Sequence, residues 1–347
     1  LKVKGICYDA GRVVGVNLRP VLQQDTVRNE MEIIKNDLHC NAVRVCGYDL
    51  RRLKLASEEA IRAGLEVWFS PEKLDETSSG TLEYISRAAE IANGLYGDTV
   101  LIIGSELTLL MKGILKGRKF AERMRNRENR DFVQRGLHNE ALNSFIKKTV
   151  NAVRARYRGR ITYASLIWEN VDWEPFDYAG VDHYMLQPIR DRYFELLEPL
   201  FRSGKPVVIT EFGFRTYRKI DSDELGSDED ITNSRSLIMR RKPIIGRFFH
   251  PLISGKYQRD EELQAKLIVE HLNQLDKAGV EGGFVNTFVS PLLTYNPDPR
   301  FDLDMSSYSI VKSYDGGFGS TYPSMTWDPK RSFWALSEYY ANSPKKM

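Results

Sequence analysis

Lys205-Pro206-Val207-Val208-Ile209-Thr210-Glu211-Phe212-Gly213 is the stretch whose reading decides the fold. Val207 to Thr210 are all β-branched, stiff at χ1 and suited to a pleated strand. The run is apolar without alternation, as expected of a strand buried on both faces of a parallel sheet. Pro206 opens it, where no ladder N–H is required, and a carboxyl group, Glu211, stands near its C-terminal end. Val100-Leu101-Ile102-Ile103-Gly104-Ser105-Glu106 reads the same way, again ending in a glutamate.

Outward from these two runs, strands are predicted over 3–9, 42–47, 65–70, 99–105, 161–166, 179–184, 206–212 and 282–289. Helical periodicity predicts helices over 25–38, 50–63, 81–95, 138–158, 191–203, 260–278 and 329–341, while 166–178 has room only for a turn of helix. Eight strands interleaved with helices predict an α/β fold, a (β/α)8 TIM barrel, as a single domain over 1–347. A doubly wound open sheet is the competitor, and it would usually carry a glycine-rich phosphate loop after an early strand. No such string occurs, nor any solenoid repeat, low-complexity tract or Pro/Ser linker.

Loop lengths point the same way. Helix-to-strand connections are short, whereas strand-to-helix connections after strands four, seven and eight are long, at 107–137, 213–259 and 290–328. Long loops without structure of their own usually carry function, and in a parallel barrel they all emerge at the C-terminal face.

Composition sets bounds. Fifty basic against 47 acidic residues, a formal +3, give no reason to expect nucleic acid or an anionic membrane as partner. No apolar run approaches the roughly 18 residues of a membrane span. Cys7, Cys40 and Cys46 form no Cys-x-x-Cys motif and read as reduced core residues, which leans towards the cytoplasm. The chain starts at Leu1 rather than Met, so removal of an upstream signal peptide stays open. His39, His138, His183, His250 and His271 have no metal-ligand spacing, so no metal or other cofactor is expected.

Glu106 and Glu211 lie 105 residues apart, three β/α units, and end strands four and seven. Strands three apart in a ring of eight lie nearly opposite, so their tips can face one another over the barrel mouth. Two facing carboxyl groups are the equipment for glycoside hydrolysis; the competing reading is a salt bridge at each strand end. The strings Val208-Ile209-Thr210-Glu211-Phe212-Gly213 and Ile103-Gly104-Ser105-Glu106 resemble the strand-seven and strand-four signatures of clan A glycoside hydrolases, retaining (β/α)8 enzymes. The resemblance implies Glu211 as nucleophile and Glu106 as acid/base. It also implies that Arg44, in Ala42-Val43-Arg44-Val45, and Tyr184, in Val181-Asp182-His183-Tyr184, support the nucleophile.

Two positions depart from the clan pattern. Ser105 stands where Asn usually binds the sugar 2-hydroxyl, and Phe288, in Asn286-Thr287-Phe288-Val289, replaces a Trp floor. The string Asp302-Leu303-Asp304-Met305-Ser306-Ser307-Tyr308 and the segment 107–113 resemble a divergent branch of such barrels. Ser105, Phe288, His183 and the reserve carboxylate Glu72 are candidate substrate contacts. Trp168 and Trp173, after strand five, are candidate stacking platforms for a pyranose ring, as are Tyr295 and Trp327; packing of a lid competes with that reading for all four.

Loop 107–137 holds nine basic and three acidic residues, and 221–230 holds six acids (Asp221, Asp223, Glu224, Asp228, Glu229, Asp230). These segments either pair with each other or a second subunit, leaving oligomer formation open, or attract an anionic glycan. The expected function is a retaining glycoside hydrolase acting on a β-linked carbohydrate. A carbohydrate-binding or regulatory barrel without catalysis is the alternative. A lyase or aldolase is disfavoured because no predicted strand ends in lysine.

Overall fold

The computed structural model describes residues 1–13, 16–220, 231–232, 251–253 and 255–343. The acidic run 221–230 lies outside the described residues.

Eight parallel strands close a (β/α)8 barrel in sequential order. They are β1 (Val3–Asp9), β2 (Ala42–Gly47), β3 (Glu66–Pro71), β4 (Thr99–Ser105), β5 (Arg160–Leu166), β6 (Ala179–Asp182), β7 (Val207–Phe212) and β8 (Gly282–Val285). β8 pairs with both β7 and β1, so no sheet edge remains. Inside, Val3, Cys7, Ala42, Trp68, Val100, Ile102, Ala164, Val208 and Phe284 form one cluster. Trp68 packs at 4.9 Å from the Phe284 ring and 5.0 Å from Tyr178. This plug makes the barrel a packed core rather than a pore, so chemistry has room only above it.

The outer layer comprises α1 (Gln24–Asn36), α2 (Leu50–Arg62), α3 (Ser78–Asn93), α4 (His138–Arg154), α5 (Glu198–Arg202), α6 (Glu261–Lys277) and α7 (Arg331–Asn342). α2 buries Leu50, Leu53, Ala56 and Ala60, a three- and four-residue spacing that lays one stripe against the strands. Its N-terminus is capped by Asp49, and that of α3 by Thr77, each accepting a backbone N–H of the first turn.

Some expectations needed correction. The predicted helix 191–203 is instead 3-10 turns at Gln187–Arg192 and Glu195–Leu197 followed by the short α5. Pro199 has no N–H to continue a helix from the preceding turn. The sixth and eighth strands end at Asp182 and Val285, before Tyr184 and Val289, and the chain between β5 and β6 makes only turns. The loop after β4 carries structure of its own, short helices at Leu107–Leu110, Phe120–Arg125 and Arg127–Gln134. Two-stranded ribbons, Tyr217–Lys219 with Tyr257–Arg259 and Val311–Ser313 with Trp327–Pro329, decorate the loops after β7 and β8.

The β1–β8 seam closes on glycine. A Cβ at Gly282 would overlap the Val3 side chain and lie 2.5 Å from the Val3 carbonyl oxygen, and one at Gly5 would run into the Phe284 ring. Backbone cannot yield as a side chain can. Gly282→Ala is therefore expected to destabilise the fold by about 1–3 kcal/mol, the scale of overpacking, read as a lower midpoint in urea unfolding; an unchanged midpoint would mean that the seam is loose.

Candidate active site

The two glutamates sit where the barrel strands lose regular register. β4 slips against β5 between Ile102 and Ser105, and β7 slips against both neighbours around Thr210. Such irregularities re-aim side chains. Thr210 Oγ1 donates to Asp182 at 2.7 Å while the next residue, Glu211, also faces inward onto Arg44. Strict alternation would turn one of this pair out of the barrel.

Arg44, wholly buried, organises the floor of the site. Its Nη1 donates to Asp182 Oδ1 at 2.8 Å, to the Thr210 carbonyl at 2.9 Å and to Glu211 Oε2 at 3.3 Å. Its Nη2 reaches Ser105 Oγ at 3.1 Å and Glu72 Oε1 at 3.3 Å, and its Nε reaches Ser70 Oγ at 3.3 Å. A second guanidinium, Arg12, approaches from the loop after β1. Its Nε donates to Glu72 Oε2 at 2.7 Å, and its Nη1 lies 3.3 Å from Glu211 Oε2. From the other side Tyr184 donates its hydroxyl hydrogen to Glu211 Oε1 at 2.6 Å, and itself accepts from Asn286 Nδ2 at 2.8 Å.

These contacts set the charge of Glu211. Burial alone would push its carboxyl up, but the positive charges of Arg12 and Arg44, with the Tyr184 and Arg12 hydrogen bonds, outweigh it and hold the group below the usual carboxylate range. Glu106 is in the opposite position. Its carboxyl takes no hydrogen bond or ion pair from any described residue. Burial pushes it well above the usual range, and the negative charges of Asp182 and Glu211 add to the shift. Two carboxyls that feel one another are thus driven apart, Glu211 towards its ionised form and Glu106 towards its protonated one.

Glu106 is also held in the left-handed region, φ 48°, ψ 38°. Its neighbours fix it there. Leu107 N–H donates to Tyr163 Oη at 2.8 Å, Tyr163 donates to Glu169 Oε2 at 2.9 Å, and Thr108 N–H donates to Glu169 Oε1 at 3.1 Å. Burial raises the Glu169 carboxyl to about 7.

Six of the residues singled out from sequence meet here: Glu106, Glu211, Arg44, Tyr184, Ser105 and Glu72. Ser105, read as a substrate donor, gives its hydrogen to Asp182 Oδ2 at 2.9 Å, and both Glu72 oxygens are taken by arginines. The others lie elsewhere. His183 is buried, stacked on Tyr193 at 3.8 Å with Nε2 against the Tyr193 carbonyl, and burial pushes its imidazole down to about 4. Phe288, read as the sugar floor, is fully buried between Tyr8 and Trp327. Trp327 is itself core, its Nε1–H donating to Glu30. Trp168 and Trp173 line a separate hollow of about 660 Å³ with Leu196, Pro199 and Leu200. Tyr295 is flanked by Arg259 and Lys312, each within 5 Å of its ring.

Sequence reasoning missed Arg12, Asp182, Asn286 and Tyr308. Asp182 stands at a strand tip, where it was open to recognition; the other three lie in loops. Arg12, Asn286 and Tyr308 line a cavity of about 380 Å³ that borders the support groups of Glu211, although neither Glu106 nor Glu211 lines it. Among the described residues no cluster of His, Cys, Asp and Glu is suited to hold a metal ion.

A left-handed non-glycine residue costs about 1–2 kcal/mol. Glu106→Gly is accordingly expected to unfold at higher urea than Glu106→Ala, by about 1 kcal/mol. Equal midpoints would show that the backbone at 106 relaxes once the carboxyl is removed.

No family model and no curated protein matches the chain. Solved structures do. The chain is similar to the GH113 β-mannanase of Alicyclobacillus acidocaldarius, with 14% identity, 98% of this chain and 97% of that one covered, and a TM-score of 0.57. It is similar to β-glucuronidase 3 of Bacteroides uniformis, with 14% identity, 99% of this chain and 38% of that one, and a TM-score of 0.57. A GH2 β-galacturonidase of Eisenbergiella tayi matches at 13% identity over 99% of this chain and 51% of that one, with a TM-score of 0.54. The chain thus spans about half or less of the two uronidases. At these identities the likeness is one of fold: this chain has the barrel found in clan A glycoside hydrolases.

Proposed function

We propose that this chain is a retaining glycoside hydrolase acting on a β-linked glycan or glycoside. The observation that carries the reading is the contrast between the two strand-tip carboxyls. Glu211 is gripped by Arg12, Arg44 and Tyr184, which favour its ionised form, while the Glu106 carboxyl has no partner among the described residues and burial favours its protonated form. Support also comes from the fold, shared with barrels named for a β-mannan and for β-uronides.

In this mechanism Glu211 Oε attacks the anomeric carbon as Glu106 passes its proton to the departing glycosidic oxygen, leaving a glycosyl ester on Glu211 and a free alcohol. Glu106, now a carboxylate, takes a proton from water, whose oxygen displaces Glu211 and restores both groups. Arg44 and Arg12 match the negative charge that Glu211 carries before attack and recovers at the end. Tyr184 keeps one carboxylate oxygen oriented, and its own orientation is set by Asn286.

A second reading, a carbohydrate-binding barrel without turnover, is favoured by Ser105, whose hydrogen is committed to Asp182 rather than free for a sugar hydroxyl. Binding of glycans with no hydrolysis of any aryl β-glycoside would select it.

Glu211→Ala is expected to cut kcat by roughly 10³-fold or more, the scale of losing a group acting at the reacting atom, with azide restoring part of the rate as a glycosyl azide of inverted configuration. Full activity in that variant, or an inverted first product of the wild type by NMR, would sink the proposal. The pH profile tests the division of roles. Activity should fall on the acid side as Glu211 gains a proton, below the usual carboxylate range, and on the alkaline side as Glu106 loses its own, well above it. Glu106→Gln should abolish the alkaline limb alone; a limb that persists would assign it to another group.

A further inference from the structure

The Glu106 carboxyl takes no hydrogen bond or ion pair from a described residue, so the direction in which it points is set by its main chain. That main chain is pinned from one side. Glu106 N–H donates to the Ala164 carbonyl at 2.9 Å, Leu107 N–H to Tyr163 Oη at 2.8 Å and Thr108 N–H to Glu169 Oε1 at 3.1 Å. Three consecutive amides thus end on β5 or on the turn that follows it. The first bond continues the β4–β5 pairing, in which Ser105 lies opposite Ala164. The other two end on side chains.

Both of those bonds depend on Glu169. Tyr163 can accept from Leu107 N–H because its own hydroxyl hydrogen is turned away, onto Glu169 Oε2 at 2.9 Å. The same carboxyl oxygen accepts Leu166 N–H at 2.8 Å, and Glu169 N–H donates to the Leu166 carbonyl at 2.9 Å. A turn over 166–169 therefore folds the carboxyl back onto the end of β5. One oxygen would satisfy that turn. The second is spent on the chain two residues past Glu106, and the first also holds Tyr163 against the chain one residue past it.

Tyr163, Thr108 and Glu169 are all buried, so a partner lost here is not simply replaced by bulk water. Glu106 itself sits at φ 48°, a left-handed conformation that costs a non-glycine residue energy. It relaxes when the amides that hold it are released, and the carboxyl moves with it.

We propose that Glu169 is the positioning residue of the acid/base: acting directly on Thr108 and through Tyr163 on Leu107, it fixes the chain just past Glu106 and so aims the Glu106 carboxyl at the departing glycosidic oxygen. This rests on the hydrolase reading above. The test compares kcat/KM, which covers the steps up to the glycosyl ester, on the 2,4-dinitrophenyl and methyl β-glycosides of the sugar cleaved best. A dinitrophenolate departs without a proton, whereas a methoxide needs one from Glu106. Glu169→Gln keeps the shape of the side chain but puts a donor in place of one acceptor oxygen. It is expected to lower kcat/KM on the methyl glycoside by about 100-fold, the scale of a misplaced catalytic group, and on the dinitrophenyl glycoside by less than about 3-fold. Tyr163→Phe, a milder change that removes one hydroxyl, should show the same contrast at about 10-fold. An equal loss on both substrates, the mark of general damage, or no loss on either would overturn the proposal.

If the wild type cleaves no glycoside, the hydrolase reading fails, and the titration of Glu106 followed by isotope-edited NMR decides this one. Tyr163→Phe leaves in place the charged groups that face Glu106, namely Asp182, Glu211, Arg12 and Glu169. A midpoint that falls towards the usual carboxylate range in that variant reports a displaced carboxyl and supports the proposal; a midpoint that does not fall overturns it.

Discussion

The guanidinium of Arg44 is the interaction on which the mouth of this barrel depends. From β2 it reaches Ser70 and Glu72 at the end of β3, Ser105 on β4, Asp182 on β6 and both Thr210 and Glu211 on β7. Five strands are thus tied to one planar group inside a ring whose lower half is apolar. An unpaired charge there would be ruinous, since the desolvation of a buried cation is recovered only by close partners. The requirement runs both ways: the carboxyls of Asp182 and Glu211 are tolerable at that depth because Arg44 lies between them. Lysine offers a point charge and three donors, and a single ammonium could not span the same spread of acceptors.

With that floor in place, the asymmetry of the two glutamates follows from geometry. Glu211 lies on the floor and receives positive charge from below through Arg44 and from the side through Arg12. Glu106 directly follows Ser105, is itself in the left-handed region, and takes no hydrogen bond from either arginine. The same chemical group is shifted in opposite directions because one strand tip delivers it into the cation network and the other carries it past.

The barrel was largely legible in the sequence because parallel strands buried on both faces read as continuous apolar runs. The start of every barrel strand is predicted to within one residue. Strand ends were harder. Tyr184, Phe288 and Val289 extend the apolar pattern, yet they lie in the loops beyond β6 and β8 rather than in the strands themselves, and hydrophobicity alone does not distinguish the two. In the site, the groups carried on strand tips, Arg44, Glu72, Ser105, Glu106 and Glu211, were open to recognition by register, and Tyr184 follows two residues beyond such a tip. Arg12, Asn286 and Tyr308 arrive on loops whose paths depend on tertiary packing. The slips in β4 and β7 were invisible, because an extra residue in a strand leaves no mark on an apolar run. His183 and Phe288 erred in one direction: a polar or aromatic residue next to a strand tip of the candidate site is as well explained by the core beneath it.

The seam at Gly282 bears on how the molecule is made. β1 precedes the other barrel strands in the chain, and the strand that covers its second edge, 282–285, is the last of the eight. Until those residues leave the ribosome, β1 and β7 are both open sheet edges able to pair with a foreign strand. Closure joins strands far apart in the chain, a non-local contact that pays a large loop entropy. A glycine seam suits a join made last, because main chain meets main chain there and few side chains have to find their places first.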